Sequence, residues 1–298
     1  MMYSMRKKLQ VNYNIDKLIL RFEIPEGFLT AINKQNHLAE ILNPSDIFIF
    51  TRRYNKDKYL IDRYILGWQS IGGPVIEIGE FCNDTERGIT LTVHNKFLYS
   101  GKLYLLHRFE ELYGLTFRKF IGLEVCCDSN CDLPRKLNKT LHSQDCVVSR
   151  RGSKIPTTDK GNQYLGCRIT DNIKSTADNR EYSTPSFYFQ LKTTGCRRPT
   201  LLRCYNKSKE VARRKAKQYI LDQYDFSPVH RLEVSIGCSE LTNLSKSKSG
   251  WSQQYIYEHL SDKDVLKEIF MKYLDRFATL TINGIKRKIS EFLCLDLT

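Results

Sequence analysis

Hydrophobic and polar positions change rhythm several times along this chain, and each rhythm predicts an element. Over 15–24, IDKLILRFEI alternates, with Leu18, Leu20, Phe22 and Ile24 on one face and Ile19, Arg21 and Glu23 on the other. That is the period of a half-buried strand. A short helix is expected over 28–42, broken by NPSD. Within 72–100, GGPVIEIGEF and GITLTVHNKFLY read as two strands around the turn-rich CNDTERG. GKLYLLHRFEELY then sets Leu103, Leu106, Phe109, Leu112 and Tyr113 at helical spacing, with Gly114 as its C-terminal stop.

GLEVCCDSN reads as a strand ending in a turn, whereas 134–184 has little apolar periodicity and is expected to be flexible, with one short hairpin. SFYFQLKT and PTLLRCY read as strands joined by TGCRR. KSKEVARRKAKQYILDQY follows as an amphipathic helix whose stripe is Val211, Ala212, Ala216, Tyr219 and Ile220. VHRLEVSI is a further strand, and the remainder reads as helical through SQQYIYEHL and DKDVLKEIFMKYLDRFATL.

Strands interleaved with helices, and a period-2 alternation within the strands, predict an α+β fold with a central antiparallel sheet flanked by helices. LRFEI at 20–24, GLEV at 122–125 and HRLEV at 230–234 echo one another, as a duplicated sheet unit would. The expected organisation is a loosely held basic leader over 1–14, a main domain over 15–240 with a flexible basic insert near 134–184, and a C-terminal helical segment over 241–298.

A hydrophobic fraction of 41% marks a globular chain rather than a disordered one. No apolar run approaches the roughly 18–20 residues of a membrane span. The N-terminus lacks the apolar stretch of a secretory signal, so a cytoplasmic protein without a membrane partner is expected. The ten cysteines include Cys126, Cys127 and Cys204 in apolar contexts and form no CxxC pair, which predicts buried thiols rather than disulfides or a zinc site.

Charge changes the picture most. A net +14 draws a protein to polyanions, nucleic acid foremost. The excess is clustered: 196–217 holds nine Lys or Arg against one acid, and 134–160 holds seven against two. That clustering favours a phosphate-binding surface.

Alternation also sorts the chemistry. Glu124, Cys126 and Asp128 share one face of their strand, Arg231, Glu233 and Ser235 share another, and Arg203 lies beside Tyr205 on a third. If these strands lie in one sheet, its polar face gathers Glu124, Asp128, Glu233, Arg203, Arg231 and Tyr205. Such hard oxygen ligands suit Mg²⁺ or Mn²⁺, and a tyrosine is a usable nucleophile on phosphate. A solvated sheet face laced with ion pairs would show the same alternation.

LLRCYNKSKE followed by HRLEVSI, with GLEVCCD upstream, resembles the replication initiators of Gram-positive rolling-circle plasmids over roughly 118–236. In that family a Tyr-Asn/Asp-Lys-x-x-Glu strand precedes an Arg-x-Glu strand. The resemblance implies that Tyr205 nicks one origin strand through a covalent 5′-phosphotyrosine, with Lys207 contacting the scissile phosphate or tuning the tyrosine. It further implies that Glu124, Asp128 and Glu233 hold Mg²⁺ or Mn²⁺. Two positions depart from the pattern: Glu124 stands where the family has Asp, and Gly122 where Arg is common.

The basic residues expected to meet DNA are Arg197, Arg198, Arg203, Lys209, Arg213, Arg214, Lys217 and Arg231, although an ordinary solvated helix face explains those on the 207–224 helix equally well. Implied partners are double-stranded origin DNA, single-stranded DNA, a host helicase and a second copy of the chain. No Walker loop supplies a motor within the chain. No His-x-His occurs, as the histidine-paired relaxases require, nor the His-x-x-Arg of tyrosine recombinases. A non-catalytic DNA-binding regulator and a mobilisation nickase remain alternative readings. Tyr188 is the next tyrosine to consider and Lys192 a further basic candidate.

Overall fold

The computed structural model describes residues 8–28, 38–40, 47–53, 63–68, 74–82, 87–141, 143, 145–150, 153–155, 168–170, 186–190, 200–213, 215–237, 240–242 and 251–295. In chain order the elements begin with β1 (Val11–Glu23), β2 (Leu38–Glu40), β3 (Ile47–Arg53), β4 (Arg63–Trp68), β5 (Pro74–Cys82) and β6 (Arg87–Val93). Next come α1 (Asn95–Leu98), α2 (Tyr104–Tyr113), β7 (Thr116–Ser129), α3 (Leu133–Leu141), β8 (Cys146–Arg150), β9 (Ser153–Ile155) and β10 (Arg168–Thr170). The rest are β11 (Ser186–Gln190), β12 (Leu201–Asn206), α4 (Lys207–Arg213), a 3₁₀ segment (Lys215–Gln223), β13 (His230–Ile236), α5 (Gln253–Glu258), α6 (Lys263–Phe277), β14 (Thr279–Ile282), β15 (Ile285–Lys288) and α7 (Ile289–Leu293). The class is α+β with an antiparallel central sheet and flanking helices.

The chain forms two compact units, 1–14 with 125–237 and 263–298, and 15–124 with 238–262; β1 and β7 run through both. These boundaries are discontinuous and differ from the expected 1–14, 15–240 and 241–298. Val11–Asn14 belong to β1, with Tyr13 and Asn14 buried, rather than to a loose leader.

In the 15–124 unit the strand order is β7-β1-β6-β5-β4-β3-β2, antiparallel from β1 to β2. The expected hairpin of β5 and β6 is present. Leu18, Leu20, Phe22, Ile76, Ile78, Ile89 and Leu91 form its core. Ile19, expected on the exposed face of β1, is also buried, so this strand is covered more completely than its alternation predicts. Gly88 of β6 is required by close approach: a Cβ there would lie 2.4 Å from the Phe22 carbonyl oxygen. Helix α2 ends as expected, with Gly114 left-handed at φ 60°. Most of the helix expected over 28–42 lies outside the described residues, and Leu38–Glu40 are strand.

The other unit orders its main sheet β10-β11-β12-β13-β7-β1, with β10 to β13 antiparallel and helices α3 and α6 packed on β13. A second sheet runs β15-β14-β8-β9. The described part of 134–155 thus holds the expected short hairpin, β8 with β9, and a helix where a flexible stretch was expected. Leu133 and Leu137 are buried one turn apart, and Asp132 accepts the Arg135 amide at 2.9 Å to start α3. β8 finds its partner in β14, far along the sequence, with Cys146 opposite Ile282. β14 and β15 correct the all-helical expectation for the C-terminal segment, turning at Asn283 and Gly284, both at positive φ.

The helix expected over 207–224 is also broken: α4 stops at Arg213, and Lys217 has non-helical angles within the 3₁₀ segment. Val211 and Ile220 are buried as expected, but Ala212 is exposed. LRFEI, GLEV and HRLEV fall on β1, β7 and β13. Among the described residues no helix is long and apolar enough to cross a membrane, and Cys126, Cys127, Cys131, Cys146, Cys204 and Cys294 are free thiols.

Candidate active site

On β12, Leu202 and Cys204 enter the core while Arg203 and Tyr205 take the opposite face. β13 runs antiparallel beside it, pairing Arg203 with Glu233 and Tyr205 with Arg231. That register sets Tyr205 diagonal to Glu233, and its hydroxyl donates to Glu233 Oε2 at 2.8 Å. Arg203 forms an ion pair with the other oxygen, Oε1. Glu233 is only 1% exposed, and these polar partners stand where water would otherwise solvate its carboxylate.

The residues after the tyrosine hold the strand-to-helix junction. Asn206 Oδ1 accepts the Lys209 amide at 2.9 Å and caps α4. The Lys207 and Ser208 amides both donate to Val229 O, and Ser208 Oγ accepts the Val229 amide at 2.9 Å, fastening the junction to the start of β13. Lys207 is fully buried. Its Nζ donates to Glu210 Oε2 at 2.7 Å and lies 5.6 Å from the centre of the Tyr205 ring. The Tyr-Asn-Lys-Ser-Lys-Glu run therefore encodes the tyrosine bound to Glu233, a helix cap and an ion pair made by a buried lysine.

Asp128 and Arg231 are both buried completely. Arg231 Nε donates to Asp128 Oδ1 and Nη2 to Oδ2, each at 2.6 Å. Tyr224 adds a hydrogen bond to Oδ2 at 2.5 Å and itself accepts from Asn14 Nδ2 at 2.9 Å. Burial, then the Asp128 charge, pushes the Tyr224 hydroxyl well above the usual phenol range, which keeps it a donor. Arg231, expected to meet DNA, is corrected to a buried partner of Asp128: a guanidinium without solvent exposure cannot reach a phosphate backbone. Asp128, expected to ligate a metal, has both oxygens engaged by the guanidinium fork.

Within the other unit, Glu124 is buried on β7 with Lys17 Nζ 3.6 Å away. Asp16, not among the candidates read from sequence, is half-buried on β1 and accepts from the Tyr99 hydroxyl at 3.0 Å. Its signal was an acid just before the apolar alternation of β1 begins. Of the basic candidates, Arg213 is exposed, while Lys209 and Lys217 are half-buried, and Lys217 Nζ lies 3.9 Å from Glu210. Burial, then the Arg213 charge, lowers the Lys209 pKa. Arg197, Arg198, Lys192 and Arg214 lie outside the described residues; Tyr188 is paired in register with Arg203.

No family model matches the chain, and no curated protein does. Among solved structures, the rolling circle replication initiator protein from Geobacillus stearothermophilus aligns at TM-score 0.51 and 16% identity, over 90% of this chain and 86% of that one. The fold is similar to that of this initiator. A protein from the dynemicin biosynthetic locus aligns at a TM-score of only 0.21 and 11% identity, over 84% of this chain and 99% of that one.

Proposed function

We propose that this chain is a DNA-nicking replication initiator of the rolling-circle type, with Tyr205 as the nucleophile. The observation that carries the reading is the 2.8 Å hydrogen bond from the Tyr205 hydroxyl to a buried glutamate. It orients the oxygen lone pairs for attack and provides a carboxylate toward which the phenolic proton can move. Tyr205 Oη attacks the phosphorus as its proton leaves. The bond from phosphorus to the 3′ oxygen breaks, that oxygen takes up a proton, and the 5′ phosphate stays on the tyrosine. The free 3′ hydroxyl can prime synthesis, and the reverse attack rejoins the strand.

As the resemblance implies, Glu124 and Glu233 are proposed to serve a divalent cation, and carboxylate oxygens are hard donors that suit Mg²⁺ or Mn²⁺. When bound, such an ion would stabilise charge on the phosphate oxygens. The initiator-like fold and the net +14 charge support DNA as the substrate. The chain lacks a Walker loop, so a host helicase would unwind the duplex, and a second copy of the chain is a further proposed partner.

The test is incubation with supercoiled DNA of its own replicon in Mg²⁺ or Mn²⁺. Open-circular product carrying protein on a 5′ end is expected. Supercoiled DNA bound but left intact would overturn the reading in favour of a non-catalytic regulator.

A further inference from the structure

Helix α5 uses its two sides differently. Ile256 and Tyr257 are buried, Tyr257 donates to Glu110 Oε2 at 2.8 Å, and Gln253 Oε1 accepts the Phe120 amide at 2.7 Å. Ser252 caps the helix by accepting the Tyr255 amide at 2.9 Å. The inner side is thus packed and fixed. Outside it, Trp251, Tyr255 and His259 follow one another at intervals of four residues and stack. The Trp251 and Tyr255 ring centres are 6.2 Å apart and those of Tyr255 and His259 4.1 Å, each pair tilted by only 23°. Tyr255 is 36% exposed, and Trp251 and His259 are half-exposed.

We infer that this aromatic ladder is a binding site for single-stranded DNA, on which unpaired bases stack. The inference rests on the nicking reading for the source of that strand, which unwinding from the nick would release. Tyr255 and His259 cover one another's facing sides, which leaves the Trp251 ring and the wider Trp251–Tyr255 interval for a base, and base stacking on such faces is tolerant of sequence. Stacked bases repeat at about 3.4 Å along a strand. The 6.2 Å between the Trp251 and Tyr255 ring centres is wider than the 4.1 Å between Tyr255 and His259, so the Trp251 side of the stack is the place for a base. Duplex DNA keeps its base faces covered, so the ladder selects unpaired strands. Lys119, exposed beside Phe120 whose amide is held by α5, is a cation on the neighbouring strand, whereas α5 itself carries Glu258 and no Lys or Arg.

The experiment uses the full chain and oligothymidylate of about 12 nucleotides, within the site sizes of single-strand binders. Only two tryptophans occur, Trp68 and Trp251, so a Trp68→Phe background lets emission report Trp251 alone. Quenching by oligothymidylate and not by a duplex of equal length is expected. Tyr255→Leu and His259→Leu should each weaken that binding about tenfold without altering its salt slope, because stacking releases no counterions. Tyr255→Phe, which keeps the ring, should bind like the parent.

Equal binding by the Leu and Phe variants at Tyr255 overturns the site. An unquenched Trp251 also overturns it. Quenching in a chain that fails to nick supercoiled DNA sinks the nicking reading and leaves the site standing. Nicking without quenching does the reverse.

Discussion

Arg231 grips Asp128 through two hydrogen bonds of 2.6 Å, and neither side chain has any solvent exposure. Removing one partner from such a pair strands the other charge in the interior. Asp128→Asn should therefore destabilise the protein by about 3 kcal/mol, read as a lower urea midpoint. If Asp128 served a metal instead, the substitution would raise the Mn²⁺ requirement for nicking and leave the midpoint in place. Glu124→Gln is expected to show that second pattern, since it removes charge from a proposed cation ligand.

Tyr205→Phe should abolish the covalent DNA adduct while leaving DNA affinity nearly intact. The substitution removes one part-buried hydrogen bond, so stability should change by about 1 kcal/mol. A protease-sensitive adduct formed by the Phe variant would move the nucleophile elsewhere, with Tyr188 the next to test. Tyr224 is a poor substitute, because burial and the Asp128 charge hold its hydroxyl protonated.

DNA binding should weaken steeply with salt, as phosphate neutralisation releases counterions. Replacing Arg213, Arg214 and Lys217 together should flatten log affinity against log salt by about one unit for each phosphate no longer neutralised. An unchanged slope would place the DNA surface elsewhere, with the basic 134–160 segment first in line.

Acid should loosen the start of α3. Burial pushes the Asp132 carboxyl up, but the hydrogen bond from His230 and that from the Arg135 amide outweigh it, leaving its pKa below the usual 3.8. A carboxyl whose folded value is depressed stabilises the protein above its unfolded value, about pH 4. That contribution is lost as pH falls through the lower folded value. Urea midpoints should decline below about pH 4, and Asp132→Asn should remove part of that decline. Identical pH profiles for the two proteins would show that Asp132 contributes nothing there.

Gly88→Ala should destabilise the pairing of β1 with β6, because the added methyl would sit 2.4 Å from the Phe22 carbonyl oxygen. Neither strand backbone can move without breaking ladder bonds, so a loss of about 1–3 kcal/mol is expected in thermal or urea unfolding.

Local pattern was enough to place β5, β6, α2, β11, β12, β13, α5 and α6, because their periodicity and end signals lie within a few residues of one another. Alternation on β12 and β13 likewise put Arg203, Tyr205, Arg231 and Glu233 on the outer positions of their strands. Pairing register lies beyond any one segment's reach. Only the antiparallel alignment of β12 with β13 set Tyr205 diagonal to Glu233 and Arg203 opposite it. Burial was likewise a tertiary outcome: period-2 alternation marks which residues share a face but not what covers that face. Asp128 on the adjacent β7, itself capped by the Tyr224 hydroxyl, turned Arg231 from an expected surface cation into a buried ion-pair partner. The β8 to β14 pairing stayed hidden because its two strands meet across more than a hundred residues, and each is too short to announce a sheet alone.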